Sequence, residues 1–290
     1  KVLEAFLPKV RDQVSQNIKK VIGQSNLIEK SMLYSASAES KMIRAALIFA
    51  SGKINKSISE NSLLTLATAI ELIHTYSLIH DDLPCMDDDN YRRGQDSNHI
   101  KYGEANAILA GDALQTLAYE IICDEIDLKP DEIVNAIKII SMACGKEGMV
   151  YGQHLDISGE SKSLDKKAIE TIHKLKTGEL IKSSVMLGQI GNDNKIEKEA
   201  LESFGMKLGL AFQITDDILE VISDKKTLGK NINSDSKNSK STYVSVTGLD
   251  NSINKSKELS ESAILDLKNL ESKNTNLLIE LAKYISYREK

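Results

Sequence analysis

Apolar residues recur every three or four positions along most of the chain, and this spacing is the period of an amphipathic α-helix. It is clearest in the segments 63–77, 105–122 and 201–222. No segment shows convincing strand alternation, and only 3 prolines interrupt the chain. The pattern therefore predicts an all-α protein.

Polar segments interrupt the helix patterns at residues 90–98, 158–165 and 223–241. The last of these lacks periodicity and is rich in Lys, Asn, Ser and Asp, so we predict a mobile loop rather than a domain linker. Helices on both sides of every interruption carry apolar faces that need one another for burial. We therefore predict a single domain of residues 1–290, folded as one large helical bundle.

Net charge and cysteine usage exclude several classes of protein. A formal net charge of -5 and a pI near 5.7 argue against binding to nucleic acid, which requires a basic face. The three cysteines include no CxxC pair, which favours reduced thiols in a cytoplasmic protein over a disulfide framework or a cysteine metal site. No uninterrupted apolar run approaches membrane-spanning length and no secretory leader pattern is present, so we predict neither a membrane span nor secretion.

Carboxylates are concentrated in two places. Five lie within residues 81–89, where the first helix pattern ends, and the pair Asp216-Asp217 lies inside the third pattern. Mg²⁺ prefers carboxylate oxygen and often completes its coordination with substrate phosphates, so two such clusters facing each other would form a diphosphate clamp. The alternatives are an adventitious cation site at a solvated helix end and, for the pair, a structural ion pair.

Basic residues accompany the first acidic cluster. His74 and Asp81 are seven residues apart and therefore only about 20° apart around a helix, so they should face one cavity. Pro84 interrupts helical geometry, and a kink there would bring Asp87 back toward Asp81. The pair Arg92-Arg93 follows directly and could reach phosphates held by metal.

Each basic residue also has a simpler structural interpretation. His74 could be a hydrogen-bonded core histidine, and Arg92-Arg93 could be a solvated pair. Lys41 and Arg44, about one turn apart, could be a surface pair whose stems cover apolar area.

A series of short motifs runs through nearly the whole chain. They are Asp81-Asp82-Leu83-Pro84-Cys85-Met86-Asp87, Arg92-Arg93-Gly94, Tyr102-Gly103-Glu104-Ala105, Gly111-Asp112-Ala113-Leu114, Gly152-Gln153 with Asp156, Lys176-Thr177-Gly178, Gln213-Ile214-Thr215-Asp216-Asp217, Leu228-Gly229-Lys230 and Lys240-Ser241-Thr242-Tyr243. In this order they resemble the trans-isoprenyl diphosphate synthases, most closely the bacterial farnesyl diphosphate synthases.

The resemblance implies head-to-tail condensation of isopentenyl diphosphate with dimethylallyl or geranyl diphosphate, with release of pyrophosphate. It also implies a helical bundle of the isoprenoid synthase type around a central cavity, a homodimer, and three Mg²⁺ ions per active site when substrate is bound. Loss of pyrophosphate from an allylic carbon leaves a carbocation, so such a site must neutralise charge rather than supply a nucleophile. Released pyrophosphate can accept the final proton.

Carried over by position, the family's functional residues fall into three groups. Asp81, Asp87 and Asp216 would ligate Mg²⁺, supported by Asp82, Asp217 and Glu220. Arg92, Lys176, Gln213 and Lys230 would meet the allylic diphosphate, and Lys41, Arg44, His74 and Arg93 would bind isopentenyl diphosphate. Thr177 would steady the carbocation through its oxygen, and Lys240 would complete the phosphate environment. Lys176, Thr177, Arg92 and Lys230 are the expected catalytic residues.

The chain departs from the family pattern at two places. Where the family usually has Gly-Gly-Lys-Arg-x-Arg-Pro, Lys41 and Arg44 remain, but one arginine, both glycines and the proline are replaced, with Ala45 at the proline position. We therefore expect weaker binding of isopentenyl diphosphate. The second aspartate motif ends in Glu220 rather than aspartate, which leaves metal binding at that position open.

Tyr76 and Ser77 are the expected determinants of product length. Tyr76 lies five residues before Asp81, about 7.5 Å down a helix axis, where an isoprenoid tail anchored at the metals would pass. In similar bacterial enzymes an aromatic residue at this position goes with a C15 product, which makes farnesyl diphosphate the expected product. The simpler alternative is that Tyr76 packs in the bundle core.

Three other functions compete with this interpretation. A terpene cyclase would carry a wider second metal motif containing Asn or Asp, Ser or Thr, and Glu, and a regulatory subunit would be expected to lose one aspartate motif. A Ca²⁺-binding helical module would need EF-hand spacing with its glycine, which is absent. Two aspartate motifs with separate cations favour a synthase.

Overall fold

The computed structural model describes residues 2–228, 240–270 and 274–287 of the chain. Within these ranges helices form almost all of the regular structure, and two-residue strands form one hairpin. The prediction of an all-α protein is therefore confirmed. The chain divides into two compact units, each described by itself below. That residues 1–290 form a single domain stays a prediction. Of the loop predicted at 223–241, residues 223–228 are helical, so the prediction is wrong there, and most of the rest lies outside the described residues.

The first unit contains residues 1–138 and 187–191. Its elements are α1 (Val2–Ile22), α2 (Leu27–Ala36), α3 (Ile43–Asn55), α4 (Glu60–Asp81), β1 (Tyr91–Arg92), β2 (Gln95–Asp96), α5 (Asn98–Tyr102), α6 (Glu104–Cys123) and the first part of α7 (Pro130–Cys144). The helix patterns of 63–77 and 105–122 correspond to α4 and α6, which pack against each other. Both helix predictions are confirmed.

Helix α4 is the core helix of the first unit. It begins after Ser59, whose side-chain oxygen accepts a hydrogen bond from the Ser62 amide at 3.1 Å and so caps the helix. Leu66, Ile70 and Ile73 are completely buried, and the helix also packs against α3. Burial fixes the course of α4, so its last residues are presented at a defined position.

Among the described residues one helix, α4, is long and apolar enough to cross a membrane by length and composition alone. Its most apolar window of 18 residues has a mean hydropathy of 1.4, although polar residues interrupt it. However, 72% of that window is buried inside the protein, as expected for a core helix. The helix is therefore only weak evidence for a membrane span.

A tight hairpin follows the acidic cluster. Strands β1 and β2 pair in antiparallel fashion with Arg92 opposite Gln95, so only Arg93 and Gly94 form the turn. Both have positive φ, 53° and 76°, as a two-residue type I′ turn requires. Gly94 adopts this conformation at no steric cost, whereas Arg93 is held in a region that non-glycine residues rarely occupy. Arg92 therefore lies in a strand and Arg93 in the turn.

The second unit contains residues 139–186 and 192–290. Its elements are the rest of α7, α8 (Met149–Ser158), α9 (Lys166–His173), a π-helical segment (Lys174–Gly178), α10 (Glu179–Leu187), α11 (Lys195–Leu228), α12 (Tyr243–Thr247), α13 (Leu249–Lys268) and α14 (Asn276–Tyr287). Helix α11 confirms the pattern of 201–222 and packs along α13. Its buried residues Ile214 and Ile218 join Tyr243 in one hydrophobic cluster.

The π-helical segment Lys174–Gly178 lies between α9 and α10 and packs against α8 and α11. Gly152 of α8 lies directly against it. A Cβ atom at Gly152 would lie 2.4 Å from the backbone nitrogen of Lys176, well inside van der Waals contact. The position therefore requires glycine, and the two backbones fix each other. Single π turns inside helices often occur at functional sites.

Candidate active site

The first aspartate motif folds back on itself after α4. The Asp87 amide donates a hydrogen bond to the Asp81 carbonyl at 2.8 Å, and the Asp89 amide donates one to the Asp82 carbonyl at 3.1 Å. The kink expected at Pro84 is thereby confirmed, and it brings the backbones of Asp81 and Asp87 together. Both of these side chains are half-buried.

Asp82 faces away from solvent and holds Arg92. The Arg92 Nε atom donates to both carboxylate oxygens of Asp82, at 3.2 and 3.1 Å, and its Nη2 atom donates to Oδ1. Burial raises the pKa of Asp82 even though Arg92 acts to lower it. Bidentate pairing of this kind fixes a guanidinium plane. The structure thus engages Asp82 with Arg92, and its support of the metal ligands stays a prediction.

A second group of basic residues lies around His74, on one side of α4. Arg44 Nη1 lies 3.4 Å from His74 Nε2, and because guanidinium only donates, this ring nitrogen must accept. Burial, followed by the positive charges of Arg44, Arg93 and Arg92, holds the pKa of His74 well below its usual range. The histidine is therefore neutral near pH 7, with its proton on Nδ1. Arg44, His74 and Arg93 thus form one basic group, and its binding of an anion stays a prediction.

The two residues of the altered basic motif differ in placement. Arg44 is buried in α3, so the interpretation of Lys41 and Arg44 as an exposed surface pair is wrong for Arg44. Lys41 is exposed in the segment before α3. Between them Met42 has a φ of 48° and forms the N-terminal boundary of the helix.

In the second unit, a chain of hydrogen bonds joins the π-helical segment to α11. The Thr177 hydroxyl donates to Gln213 Oε1 at 3.1 Å, and Gln213 Nε2 donates to Asp217 Oδ1 at 3.2 Å. The other oxygen of Asp217 accepts from the Tyr243 amide at 2.9 Å. Buried Asp217 is therefore held by protein donors, like Asp82 in the first unit.

Asp216 and Glu220 lie one turn apart on α11 and share a face with Gln213, as the periodicity predicts. Asp216 is half-buried and Glu220 is exposed. Unlike Asp217, these two carboxylates are on the more accessible side of the helix.

Lys176 and Lys240 meet at one carboxylate, Asp156 of α8. Their Nζ atoms lie 2.6 and 3.1 Å from Asp156 Oδ2, and Lys240 also approaches Glu160 at 3.3 Å. Burial alone would raise the pKa of Asp156, but the two ammonium groups outweigh it and lower that pKa. The carboxylate is thus ionised and positions both lysines.

The remaining expected site residues are placed as follows. Tyr76 is buried in α4, with its ring edge-on to His80 at a centroid distance of 5.6 Å. The Ser77 hydroxyl donates to the His74 carbonyl at 2.6 Å. Lys230 lies outside the described residues.

A metal ion at this site would need ligands from water or substrate in addition to protein side chains. Within the described part of the chain, no group of three or more His, Cys, Asp or Glu is arranged to hold a metal ion. A backbone hydrogen bond joins Asp87 to Asp81, so both carboxylates belong to one turn. This suits Mg²⁺, an ion that usually takes one or two carboxylates and fills its octahedron with waters and substrate phosphates. The residues therefore fit Mg²⁺ bound together with a diphosphate.

Comparison with known proteins assigns the family. The model of the polyprenyl synthetase family matches residues 25–280, which is most of the chain. The chain belongs to the polyprenyl synthetase family. The chain is also 41% identical over 294 residues to the farnesyl diphosphate synthase of Escherichia coli (strain K12), covering 99% of this chain and 98% of that protein. The resemblance deduced from the motifs is confirmed.

Solved structures of polyprenyl synthetases share the fold. An FPP/GFPP synthase from Zymomonas mobilis matches with a TM-score of 0.88 at 31% identity, covering 98% of both chains. A geranyltransferase from Helicobacter pylori, complexed with magnesium and isoprenyl diphosphate, matches with a TM-score of 0.81 at 31% identity, covering 97% of this chain and 95% of that chain. The expected isoprenoid synthase type of fold is thus confirmed.

Proposed function

We propose that the protein is a Mg²⁺-dependent prenyltransferase that condenses isopentenyl diphosphate with dimethylallyl and then geranyl diphosphate, giving farnesyl diphosphate and pyrophosphate. The observation that carries this proposal is the folded aspartate turn of Asp81 and Asp87 beside the basic group of Arg44, His74 and Arg93. The turn suits a metal-bound diphosphate, and the basic group suits a diphosphate bound without metal. Similarity to the E. coli farnesyl diphosphate synthase supports the choice of substrates.

Charge neutralisation drives the proposed reaction. Asp81, Asp87 and Asp216 would hold Mg²⁺, three ions per site with substrate bound, which supplies positive charge for the departing diphosphate. The magnesium in the H. pylori relative supports this cofactor. Lys176 and Arg92 would each contribute fixed positive charge to bound diphosphate, and each is already oriented by a carboxylate.

Thr177 is suited to face the carbocation. Its hydroxyl proton is directed at Gln213, so the oxygen lone pairs are left to face positive charge. Because the allylic carbon is attacked by the double bond of isopentenyl diphosphate, the protein supplies no nucleophile. Loss of a proton to released pyrophosphate then completes the new double bond.

Product analysis tests this function directly. Labelled isopentenyl diphosphate should be incorporated with dimethylallyl or geranyl diphosphate in the presence of Mg²⁺, and the main product should be C15. Cyclic hydrocarbons formed from an allylic diphosphate without incorporation of label would instead identify a terpene cyclase. An inactive protein that stimulates a second prenyltransferase would identify a regulatory subunit.

The neighbouring arginines should give different kinetic signatures. Arg92→Ala should chiefly impair use of the allylic diphosphate and lower kcat, because it frees the buried Asp82 carboxylate and removes charge from the leaving group. Arg93→Ala should chiefly raise KM for isopentenyl diphosphate, because Arg93 belongs to the group around His74. Steady-state kinetics with each substrate varied in turn measures both. Identical profiles for the two variants would contradict the separate assignments.

Tyr76 is the proposed floor of the product channel. Replacement by alanine should lengthen the main product from C15 to C20 or longer, since the removed ring no longer blocks the growing tail. Chromatography of the labelled products measures this directly. Ile70→Val, a small change in the core of the same helix, is the packing control and should leave C15 as the main product. A folded, active Tyr76→Ala enzyme that still makes only C15 would show that the tyrosine is a core residue.

We also propose that the enzyme is a cytoplasmic homodimer. The exposed side of α6 carries Ile108 and Leu109, and Ile100 of α5 is exposed as well. Apolar area of this kind suits contact with a second copy. Among the described residues all three cysteines are free thiols, in keeping with a reducing compartment. Sedimentation of the purified protein tests the dimer, and a monomer at micromolar concentration would disprove it.

A further inference from the structure

Glu71 is a buried carboxylate in α4 that the assigned roles do not use. It is 3% exposed, and its Oε1 atom accepts a hydrogen bond from the Ala45 amide at 3.1 Å. Ala45 directly follows Arg44 at the start of α3, so this bond anchors the carboxylate beside the guanidinium-bearing end of that helix. A proline at position 45 has no N–H group and could not make the bond.

Glu71 and His74 are three residues apart on α4, so they share one face of the helix. Because the Ala45 amide reaches Glu71 and Arg44 Nη1 lies 3.4 Å from His74 Nε2, this face of α4 meets the start of α3. Arg93 approaches from the hairpin, where it lines a small cavity with Thr75, one turn beyond Glu71. Arg44 and Arg93, from separate elements, thus both lie near the side of α4 that carries the buried carboxylate.

Electrostatics agrees with this arrangement. Burial raises the pKa of Glu71, and the charges of Arg44 and Arg93 oppose that rise. Reciprocally, burial lowers the pKa of Arg93 and Glu71 acts to raise it. A buried guanidinium pair without a carboxylate would be costly through desolvation and mutual repulsion. With His74 neutral, an ionised Glu71 would leave the two arginines one net positive charge for an anion.

We propose that Glu71 is a positioning residue that holds Arg44 and Arg93 together as one binding site for the diphosphate of isopentenyl diphosphate. The inference rests on the proposed function, since it names the substrate that this basic group receives. In this chain the Ala45 amide adds a main-chain anchor for the carboxylate. The competing view is that Glu71 only satisfies a free amide at the start of α3.

Glu71→Gln separates the two views, because glutamine keeps the size and an oxygen for the Ala45 amide but removes the charge that holds the arginines. We expect KM for isopentenyl diphosphate to rise at least about tenfold, with KM for geranyl diphosphate unchanged. Thr75→Val, an isosteric change one turn away whose hydroxyl donates to the backbone carbonyl of Glu71 and not to its carboxylate, is the matched control. Equal effects from both variants would overturn the proposal.

A double variant tests whether Glu71 acts through the arginines. In the Arg93→Ala background, Glu71→Gln should raise KM for isopentenyl diphosphate by less than it does in the wild type. Full additivity would show that the two residues act independently and would overturn the proposal. Ala45→Pro, with Ala45→Gly as the control that retains the N–H group, gives a second route if Glu71→Gln fails to fold. Proline should raise the same KM more than glycine does, and a proline variant that binds isopentenyl diphosphate more tightly, as the family pattern implies, would overturn the anchoring role of the Ala45 amide.

Binding of inorganic pyrophosphate, measured by calorimetry in EDTA, distinguishes failure of this inference from failure of the proposed function. Without metal, binding should depend on Arg93 and should weaken in Glu71→Gln. If pyrophosphate binding depends on both Arg93 and Glu71 but the wild type does not incorporate isopentenyl diphosphate, the anion site is supported and the assigned reaction is wrong. If Arg93→Ala abolishes pyrophosphate binding and Glu71→Gln leaves it unchanged, the positioning role is wrong.

Discussion

Replacement of Asp81 by alanine should lower turnover by about a thousandfold or more while the protein remains folded. The reaction depends on neutralising a leaving diphosphate, and Asp81 supplies a carboxylate at the end of the buried helix α4. The turn itself should survive, because the Asp87 amide bonds to the carbonyl of residue 81 rather than to its side chain. Single-turnover rates with geranyl diphosphate, together with circular dichroism, measure loss of chemistry separately from loss of fold.

Three further measurements complete the test of the metal site. Asp216→Ala should produce a loss of similar size, and EDTA should abolish turnover until Mg²⁺ is added back. Asp88→Asn is the matched control, because Asp88 belongs to the same acidic run, is exposed, and has a φ of 53° that asparagine tolerates. Activity within tenfold of wild type for both Asp81→Ala and Asp216→Ala would disprove the metal assignment.

The periodicity of the sequence predicted the helices that carry the site but not the segments between them. Helices α4, α6 and α11 agree with the patterns because each buries one repeating set of apolar positions over several turns. The hairpin at β1 and β2 was missed, since strands of two residues contain no alternation to detect.

The chemistry of individual residues in the sequence predicted part of the site. Pro84 indicated the kink that returns Asp87 to Asp81, because loss of a backbone donor acts on the nearest turn. The pairing of Asp82 with Arg92 and of Asp156 with Lys176 was not predicted, since such contacts depend on distances between elements. Glu71 was missed for the same reason.

The π-helical segment is another feature that the sequence does not predict. One additional residue in a helical turn does not disturb an apolar pattern enough to be seen, so Lys174–Gly178 looks like ordinary helix. In the sequence Gly152 stands out only as part of the motif Gly152-Gln153, yet it determines how closely α8 approaches that segment.

Gly152→Ala should lower kcat by about a hundredfold, because misplacing catalytic groups by about 1 Å has effects of this size. The added Cβ would lie 2.4 Å from the Lys176 nitrogen and 2.7 Å from its Cα atom. Both are backbone atoms, so no side chain can rotate to relieve the overlap. The segment carrying Lys176 and Thr177 must shift, which disturbs the Lys176–Asp156 pair and the Thr177–Gln213 hydrogen bond.

Gly159→Ala provides the matched control for this prediction. Gly159 ends the same helix α8, but its added Cβ would meet the flexible end of Leu164 at 2.9 Å, and the nearest backbone atom, the Leu155 oxygen, lies at 3.2 Å. Turnover of Gly159→Ala should therefore stay near that of wild type. Kinetics and thermal midpoints of both variants separate a shifted site from an unfolded protein. If folded Gly152→Ala keeps wild-type kcat, the approach of α8 does not position Lys176 and Thr177 for catalysis.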